Sequence, residues 1–558
     1  MGAKEVKTMS KRLDEAGLEL NAGVLVIGGG PAAAWAALAA QERGAKVVLV
    51  DKGYVGTSGA FAASTSGAKI LPPLAILRDP VKFERYALGG FLAQHRWWDR
   101  ILDETYVNAP KIWGWGGYDT PDYSDGKGYY RGLQGSETMR IMRKRLLSVG
   151  VKVLDQSPAL ELLVDEDGTV AGARGFQRQE DRPWTVKAGA TILASGGVAW
   201  LSKALGCNTN TGDGLLQAVE AGAELSGMEF SSHYSPAPIH SSVTKGAFYR
   251  YASYTDKDGV LLEGLSKNGH RSTSAIAKEL LKGPVYCKLD QGTEKPETRR
   301  MLRLMQPNFF APFDKIGLDP FEERWRMTLL LEGTVRGTGG IRIANDDCGS
   351  TVDGLYAAGD AASRELNCGA FTGGAGPNMT WAIGSGNISG RAAADFAKSL
   401  GPLAASRKVR AVGGAGLAPQ KENAPVYDNA AVIKAVQDEI FPYEKNIFRT
   451  EATLVDSLAK LAELWETVQG TPAQSNPQEI QRSRETVALV ATARWNYFAG
   501  LERKETRGIH KRLDYPKLDP EQRHYLAVGG LDKLWTRPVP VPEAIVPQPA
   551  KDEAKVHV

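Results

Sequence analysis

The sequence predicts an α/β protein, and three observations carry that prediction. An apolar strand run at residues 24–27 passes at once into the pattern Gly28-x-Gly30-x-x-Ala33, a helix pattern and a second strand. The same strand-then-small-residue pattern returns far downstream, at residues 191–197 and 354–360. At 558 residues the chain is also too long for one ordinary core and divides into several domains.

The first unit reads VLVIGGGPAAAWAALAAQERGAKVVLVDK over residues 24–52. The helix pattern covers 32–43 and stops at Gly44, a usual place for a helix-ending glycine. The second strand covers 46–50 and runs into Asp51 and Lys52. Gly28 permits a tight turn and Gly30 lets the backbone approach a pyrophosphate. Pro31 and Ala32 open a helix whose unpaired N–H groups and dipole favour phosphate, and Ala33 packs that helix on the strand. Asp51 can accept from ribose hydroxyls. Strand, turn, helix, strand and acid in this order predict a Rossmann-like dinucleotide-binding domain. One copy is visible, so the expected ligand is FAD, with no dedicated nicotinamide site.

Composition sets bounds. Lys and Arg number 68 against 64 Asp and Glu, interleaved without a basic block, which gives no reason to expect nucleic acid. The four cysteines, Cys207, Cys287, Cys348 and Cys368, form no C-x-x-C pair. A disulfide framework, a zinc ribbon and an intrinsic iron–sulfur cluster are unexpected, and a reducing compartment fits. No apolar run is long enough for a transmembrane segment, and the first 20 residues read as a loose mixed-charge extension. The expected location is cytoplasmic.

Later segments extend the dinucleotide site. The uncharged loop GTSGAFAASTSG, residues 56–67, offers Ser58, Gly59, Ala60, Ser66 and Gly67 for close contact. TILASGG, residues 191–197, ends a strand in Ala194, Ser195 and Gly196. NTGDG, residues 210–214, places Thr211, Gly212 and Asp213 before a helix at 215–223, where Thr211 and Asp213 can cap it. GLYAAGD, residues 354–360, is a buried strand closing in Gly359 and Asp360, whose acid suits a ribityl hydroxyl. A Gly-rich loop and helix, GSGNISGRAAADFAKSL, follow, with the helix N-terminus expected at the flavin.

These segments, with ERKETRGIHKRLDYPKLD near the C-terminus, resemble the flavoprotein subunits of the fumarate reductase/succinate dehydrogenase superfamily. That superfamily includes L-aspartate oxidase and the alpha chain of adenylylsulfate reductase, and the resemblance runs over about residues 22–520. It implies a two-part FAD domain, an inserted α+β capping domain and a helical C-terminal domain. It also implies that Asn378, Met379 and Thr380 match a turn meeting the pyrimidine end of the flavin.

The sequence departs from the resemblance in specific places. Gly59 stands where covalent members carry a flavin-bonding histidine, so non-covalent FAD is expected. Val335 stands where dicarboxylate enzymes have a histidine, and YRYASYTDKDGVLLEG lacks their proton-donor pattern. Arg364 is a possible stand-in for their carboxylate-binding arginine. The Ser58-Gly59-Ala60 triplet is nearer the adenylylsulfate reductase type. Candidate active-site groups are His233, one residue out of register with a family histidine, then His240, Arg250, Arg336 and Arg364, with His270 and Arg271 beside them. Histidine can move a proton near neutral pH and arginine can anchor an anion. Each also has a plain structural reading. The Trp-rich stretch at 95–118 reads mainly as core, with a flat pocket or partner surface as the alternative.

The expected domains are an extension at 1–22, FAD-binding parts at 23–225 and 341–402, a cap at 226–340, a linker at 403–427, a helical domain at 428–530 and a Pro-rich tail at 531–558. Helices are expected at 430–439 and 479–494. Arg507, His510 and Arg512 read as structural salt-bridge residues, and the tail as extended or disordered. The expected activity is an FAD-dependent oxidoreductase passing electrons between a small anionic or sulfur-containing substrate and a protein carrier, with a ferredoxin-like iron–sulfur partner. Alternatives are a self-contained flavin dehydrogenase or oxidase and a non-catalytic flavin-binding protein.

Overall fold

A computed structural model describes residues 12–64, 67–119, 133–244, 247–267, 270–271, 273–372, 375–401, 406–420, 425–472, 476–542 and 544. Its main sheet is built around β1 (Leu18–Ile27), which lies parallel to β2 (Val47–Val50) on one side and to β6 (Arg182–Leu193) on the other. β3 (Lys152–Leu154) extends the parallel half beyond β2. At the centre of the parallel half, residues 24–27 and 47–50 are apolar and buried on both faces, as a parallel sheet covered by helices requires. β4 (Ala159–Val164) and β5 (Val170–Gln177) form an antiparallel meander with the first half of β6. The last residues of β6 pair in parallel with strand Leu355–Ala357, Thr191 opposite Leu355, so the chain returns to the sheet it left.

The helix after β1 is Pro31–Glu42, and Gly44 follows it in the left-handed region with φ +80. Against it lies a 25-residue helix, Ala375–Ser399. The expected Gly-rich loop at GSGNISG is therefore absent; those residues are mid-helix. Their glycines serve packing instead. A Cβ on Gly386 would sit 2.7 Å from the Ala32 carbonyl oxygen, and one on Gly390 would overlap the Ala36 carbonyl. Only residues without a side chain let two helix backbones approach this closely.

The chain leaves the sheet region through β7 (Leu225–Ser226) and returns at Gly340–Ile341, and these two segments pair antiparallel. Between them β8 (Tyr234–Pro238) joins strands Trp325–Leu331, Tyr286–Lys288 and Ser253–Thr255 in an antiparallel sheet. Phe309, Phe310, Phe313, Phe321 and Trp325 are buried beneath it, with the Phe313 and Trp325 rings 4.9 Å apart and edge-on. This offset geometry is the favoured one for aromatic pairs.

Helices Asn429–Ile440, Glu451–Val468 and Pro477–Glu502 form the C-terminal bundle, longer than the periodicity predicts. Their starts are set by caps: Asp428 accepts from Ala430 N, Thr450 forms a capping box with Thr453, and Asn476 accepts from Glu479 N.

Two further expectations need correction and a third needs completing. Residues 18–22 of the supposed extension belong to β1, with Leu18 opposite Trp184. The supposed linker contributes strand Arg410–Val412, an edge strand on β4. The third needs only a partner added: the Pro-rich tail, expected as extended or disordered, is extended at its start as strand Trp535–Pro540, antiparallel to His524–Gly529. Proline lacks an N–H, and an edge strand is where it can be accommodated. The Trp-rich stretch is core where its tryptophans are most hidden, at Trp97 and Trp98, and the Trp98 indole N–H donates to the Asn367 carbonyl.

Candidate active site

A cavity of about 930 Å³ opens where the sheet, the cap and the C-terminal segment meet. One wall is backbone and small side chains. Gly28, Gly30, Pro31 and Ala32 line it from the first turn, and Ser58, Gly59, Ala60 and Gly67 from the loop. Ala194, Ser195 and Gly196 line it from the end of β6, and Gly359, Asp360, Asn378 and Met379 from the returning segment. Gly30 caps helix Pro31–Glu42 without any side-chain cap bond, so the helix's free N–H groups open on the cavity. Gly28 has φ +127, and a Cβ there would overlap the Ala194 carbonyl. Gly59 has φ +90 and nothing within 4 Å of where a Cβ would be.

Asp51 is held at the strand end by the Ser58 hydroxyl and the Gly53 N–H, both donating to Oδ1 at 2.8 Å. Burial nevertheless raises its pKa above the usual carboxylate value. Lys52 donates to Thr211 Oγ1 at 2.6 Å, Asp213 Oδ2 at 2.6 Å and Glu485 Oε1 at 2.9 Å. Burial pulls its pKa down, but the two acids outweigh it and the net shift is upward. Lys52 and Asp213 line the cavity; Thr211 and Gly212 do not. The N-cap of helix Asp213–Glu220 is Gly212 in the left-handed region, not Thr211 or Asp213. Thr211 is spent on Lys52 and Asp213. Thr380 is likewise off the cavity; its Oγ1 accepts from the Lys69 N–H at 2.9 Å. Ser66 lies outside the described residues.

The second part of the lining, the cationic wall, is made of side chains. His233, Arg250 and Arg336 line it, as do Lys69, Arg85 and Lys511, which no sequence motif singled out. Two of the cations are linked through Thr372: Arg85 Nη1 donates to the Thr372 carbonyl at 3.4 Å, and Thr372 Oγ1 donates to the Arg336 carbonyl at 2.9 Å. Burial, then the neighbouring Arg85, lowers the Lys69 pKa, and burial lowers that of Lys511. Val335 sits in the same wall beside Arg336.

Two candidates fall elsewhere. His240 is exposed on the cap, edge-on to Phe313 at 5.4 Å, and is not part of the lining. Arg364 is 1% exposed and points into the protein, where it holds Asp360 and the carbonyls of Thr334 and Gly337. It braces the cavity floor without reaching the cavity. The side chains of His270 and Arg271 lie outside the described residues.

The tail motif splits by residue. Gly508, Ile509 and Lys511 line the cavity, whereas Arg507, His510 and Arg512 are 0–1% exposed. Arg507 pairs with Glu505, Arg512 with Asp514, and Arg449 donates to His510 Nδ1 at 2.9 Å. Burial, then the Arg449 cation, pushes the His510 pKa well below its usual value, so the ring is neutral. An alternation of lining and buried positions after the Gly508 turn is the signal that would have singled out Lys511.

The residues present fit a dinucleotide. The helix N-terminus supplies phosphate donors, the glycines supply room, and Ser195 Oγ, Asn210 Oδ1, Gln217 Oε1 and Asn378 Oδ1 are buried around the cavity without a partner. Buried polar atoms are normally paired, so four on one wall mark a surface shaped for a ligand with its own donors and acceptors.

The fold and this wall define an FAD-dependent oxidoreductase. Residues 23–109 and 120–245 match the FAD binding domain family, and residues 438–548 match the fumarate reductase flavoprotein C-term family. The chain belongs to the fumarate reductase/succinate dehydrogenase flavoprotein superfamily and its cofactor is FAD; Gly59, in the cavity lining, has no side chain to bond it covalently. It is 27% identical to L-aspartate oxidase of Mycobacterium leprae, covering 90% of this chain and 94% of that one. It is 26% identical to the fumarate reductase flavoprotein subunit of Mycobacterium tuberculosis, covering 90% and 93%. Among solved structures, a mutated E. coli quinol fumarate reductase FrdA superimposes with a TM-score of 0.76 at 21% identity, over 96% of this chain and 99% of that one. Adenylylsulfate reductase of Archaeoglobus fulgidus also gives 0.76 at 21%, over 98% and 99%. Among the described residues no helix is long and apolar enough to cross a membrane, and no group of three or more His, Cys, Asp or Glu residues could hold a metal ion.

Proposed function

We propose that this chain transfers electrons between a small anionic or sulfur-containing substrate and a protein carrier, in the cytoplasm, and that its partner is a ferredoxin-like iron–sulfur protein. The observation that supports the reading is the cationic wall. Lys69, Arg85, Arg250, Arg336 and Lys511 line the cavity, while the acids in the lining are Asp51, Asp213 and Asp360, each next to the glycine-rich wall or bound to a neighbour there.

When bound, FAD supplies hydride acceptance or donation. The chain supplies the rest. Gly28, Gly30 and the helix N-terminus receive the pyrophosphate, Asp51 and Asp360 the polyol hydroxyls, and Ser195, Asn210 and Asn378 complete the polar contacts. The Arg and Lys groups anchor the anion, and a half-buried site makes each charge-assisted contact stronger than in water. His233 moves the proton that accompanies the hydride. Val335, apolar where dicarboxylate enzymes have a histidine, supports a substrate other than succinate or fumarate and the closer kinship to the adenylylsulfate reductase type.

The deciding experiment is an anaerobic screen that follows bleaching of the flavin colour by sulfite, by sulfite with AMP, by succinate and by L-aspartate. Bleaching by a sulfur anion, with its oxidised product recovered so that a mere sulfite adduct of the flavin is ruled out, supports the reading; bleaching by succinate alone overturns it. The L-aspartate oxidase relatives favour a second reading, a self-contained oxidase. Oxygen uptake by the chain purified alone separates the two.

A further inference from the structure

Behind the cationic wall lies a carboxylate that is not part of the cavity lining. Glu332 is 0% exposed and directly follows strand Trp325–Leu331. That strand pairs with β8 in a register placing Ser235 opposite Leu330 and Tyr234 opposite Leu331. The register brings Ser235 beside Glu332, and the Glu332 and Gly333 N–H groups both donate to the His233 carbonyl, at 2.9 and 3.2 Å.

Its two oxygens are taken up by groups from the wall. Ser235 Oγ donates to Oε2 at 2.5 Å and Thr244 Oγ1 donates to Oε1 at 2.8 Å. Arg336 Nε lies 3.4 Å from Oε2. On its other side Ser235 Oγ is 3.2 Å from His233 Nε2. One hidden carboxylate thus reaches His233, Thr244 and Arg336, all three of which line the cavity.

The direction of the bonds follows from chemistry. Ser235 Oγ and Thr244 Oγ1 both donate to Glu332, and the Arg336 guanidinium has no lone pair to offer, so Glu332 is the acceptor in each of these contacts. The Ser235 proton therefore points at Glu332, which leaves Ser235 Oγ only lone pairs to offer the imidazole. His233 must then donate from Nε2, and Nδ1 becomes the accepting nitrogen of the neutral ring.

We propose that Glu332 and Ser235 form a positioning relay that fixes His233 as its Nε2–H tautomer and holds Arg336 beside it. The relay rests on the reading of His233 as the proton-moving group, but its structural content can be tested without turnover. The flavin-loaded protein is prepared with ¹⁵N-histidine, and the ring tautomer of His233 is read from long-range ¹H–¹⁵N correlations at a pH where the ring is neutral. A His233→Gln sample assigns the signal. The expected result is a single Nε2–H tautomer in the unaltered protein, a mixture of both tautomers in Ser235→Ala, and recovery of the single form in Ser235→Thr. An Nδ1–H ring in the unaltered protein overturns the relay, whatever the variants do. So does a Ser235→Ala protein that retains its flavin and an unchanged tautomer. Should the tautomer behave as expected while His233→Gln leaves substrate bleaching of the flavin unaffected, the relay stands and the role given to His233 falls.

Discussion

The two walls of the cavity are built in opposite ways. The cofactor wall is backbone: Gly28, Gly30, Gly59, Gly196 and Gly359 bring main chain to the ligand, and each lies in a short contiguous motif. The cationic wall is side chain: Lys69, Arg85, Arg250, Arg336 and Lys511 come from five separate segments. A backbone site demands particular residue types at fixed spacing, because only glycine fits the turn or the close approach. A side-chain site demands only that distant segments meet, and many sequences satisfy that. The first wall carries the motifs shared with the superfamily; the second carries the substrate contacts in the proposed function.

Four experiments press on this contrast. The largest effect is expected at Gly28→Val. Its Cβ would overlap the Ala194 carbonyl at a φ of +127, so the purified protein should lack visible flavin absorbance and much of its folded yield. A yellow, stable variant would break the idea that this wall is fixed by backbone. Next, Arg336→Ala should leave the flavin bound but slow its bleaching by the anion found in the screen about 10–100-fold, the worth of one charged hydrogen bond. Arg336→Lys should recover part of that loss, and equal rates in all three proteins would remove Arg336 from the site.

A smaller effect is expected at Glu365, which accepts from Ser226 of β7 and is not part of the cavity lining. Burial, offset in part by the hydrogen bond from Ser226 and added to by the Glu229 charge, pushes the Glu365 carboxyl up to about 8 from an ordinary 4.5. The folded protein then holds this proton more tightly than the unfolded chain. Its stabilising contribution is complete below the unfolded value and is lost as pH rises through about 8. Glu365→Gln, which copies the protonated form, should match the unaltered protein near pH 4.5 and melt a few degrees higher near pH 9. Parallel melting curves at both pH values would refute the shift. The smallest change is expected at Gly59→His. With φ +90 at this position the new side chain cannot settle without moving the loop, so acid precipitation should still release all the flavin into the supernatant.

The fold was largely legible because its signals are local. Residues 24–52 announce strand, turn, helix and strand; the helix and the second strand shift by one residue, while the first strand starts earlier, at Leu18. The errors have a common cause. GSGNISG looks like a loop because glycine usually marks one, but here Gly386 and Gly390 are opposite the backbone of helix Pro31–Glu42, which no short window can reveal. Thr211 carries the right chemistry for a cap, yet Lys52 claims it from 159 residues away. Arg364 has the charge an anion needs but is turned inward by Asp360 and two carbonyls. Glu332 and Ser235 carry no pattern at all; they matter through the register of β8, a property of the pairing and not of either strand.

The collar formed by β7 and Gly340–Ile341 has a consequence for the order of assembly. Strand His524–Gly529 pairs with β7, Ala527 opposite Ser226, and strand Trp535–Pro540 closes over it. On the ribosome, where chains emerge amino end first, the sheet and the whole cap leave the exit tunnel long before those strands do. Until then the cap hangs by two short segments, and Gly508, Ile509 and Lys511 have not yet arrived at the pocket. The pocket is therefore complete only once residues 508–511 have joined a sheet and a cap that were made long before them.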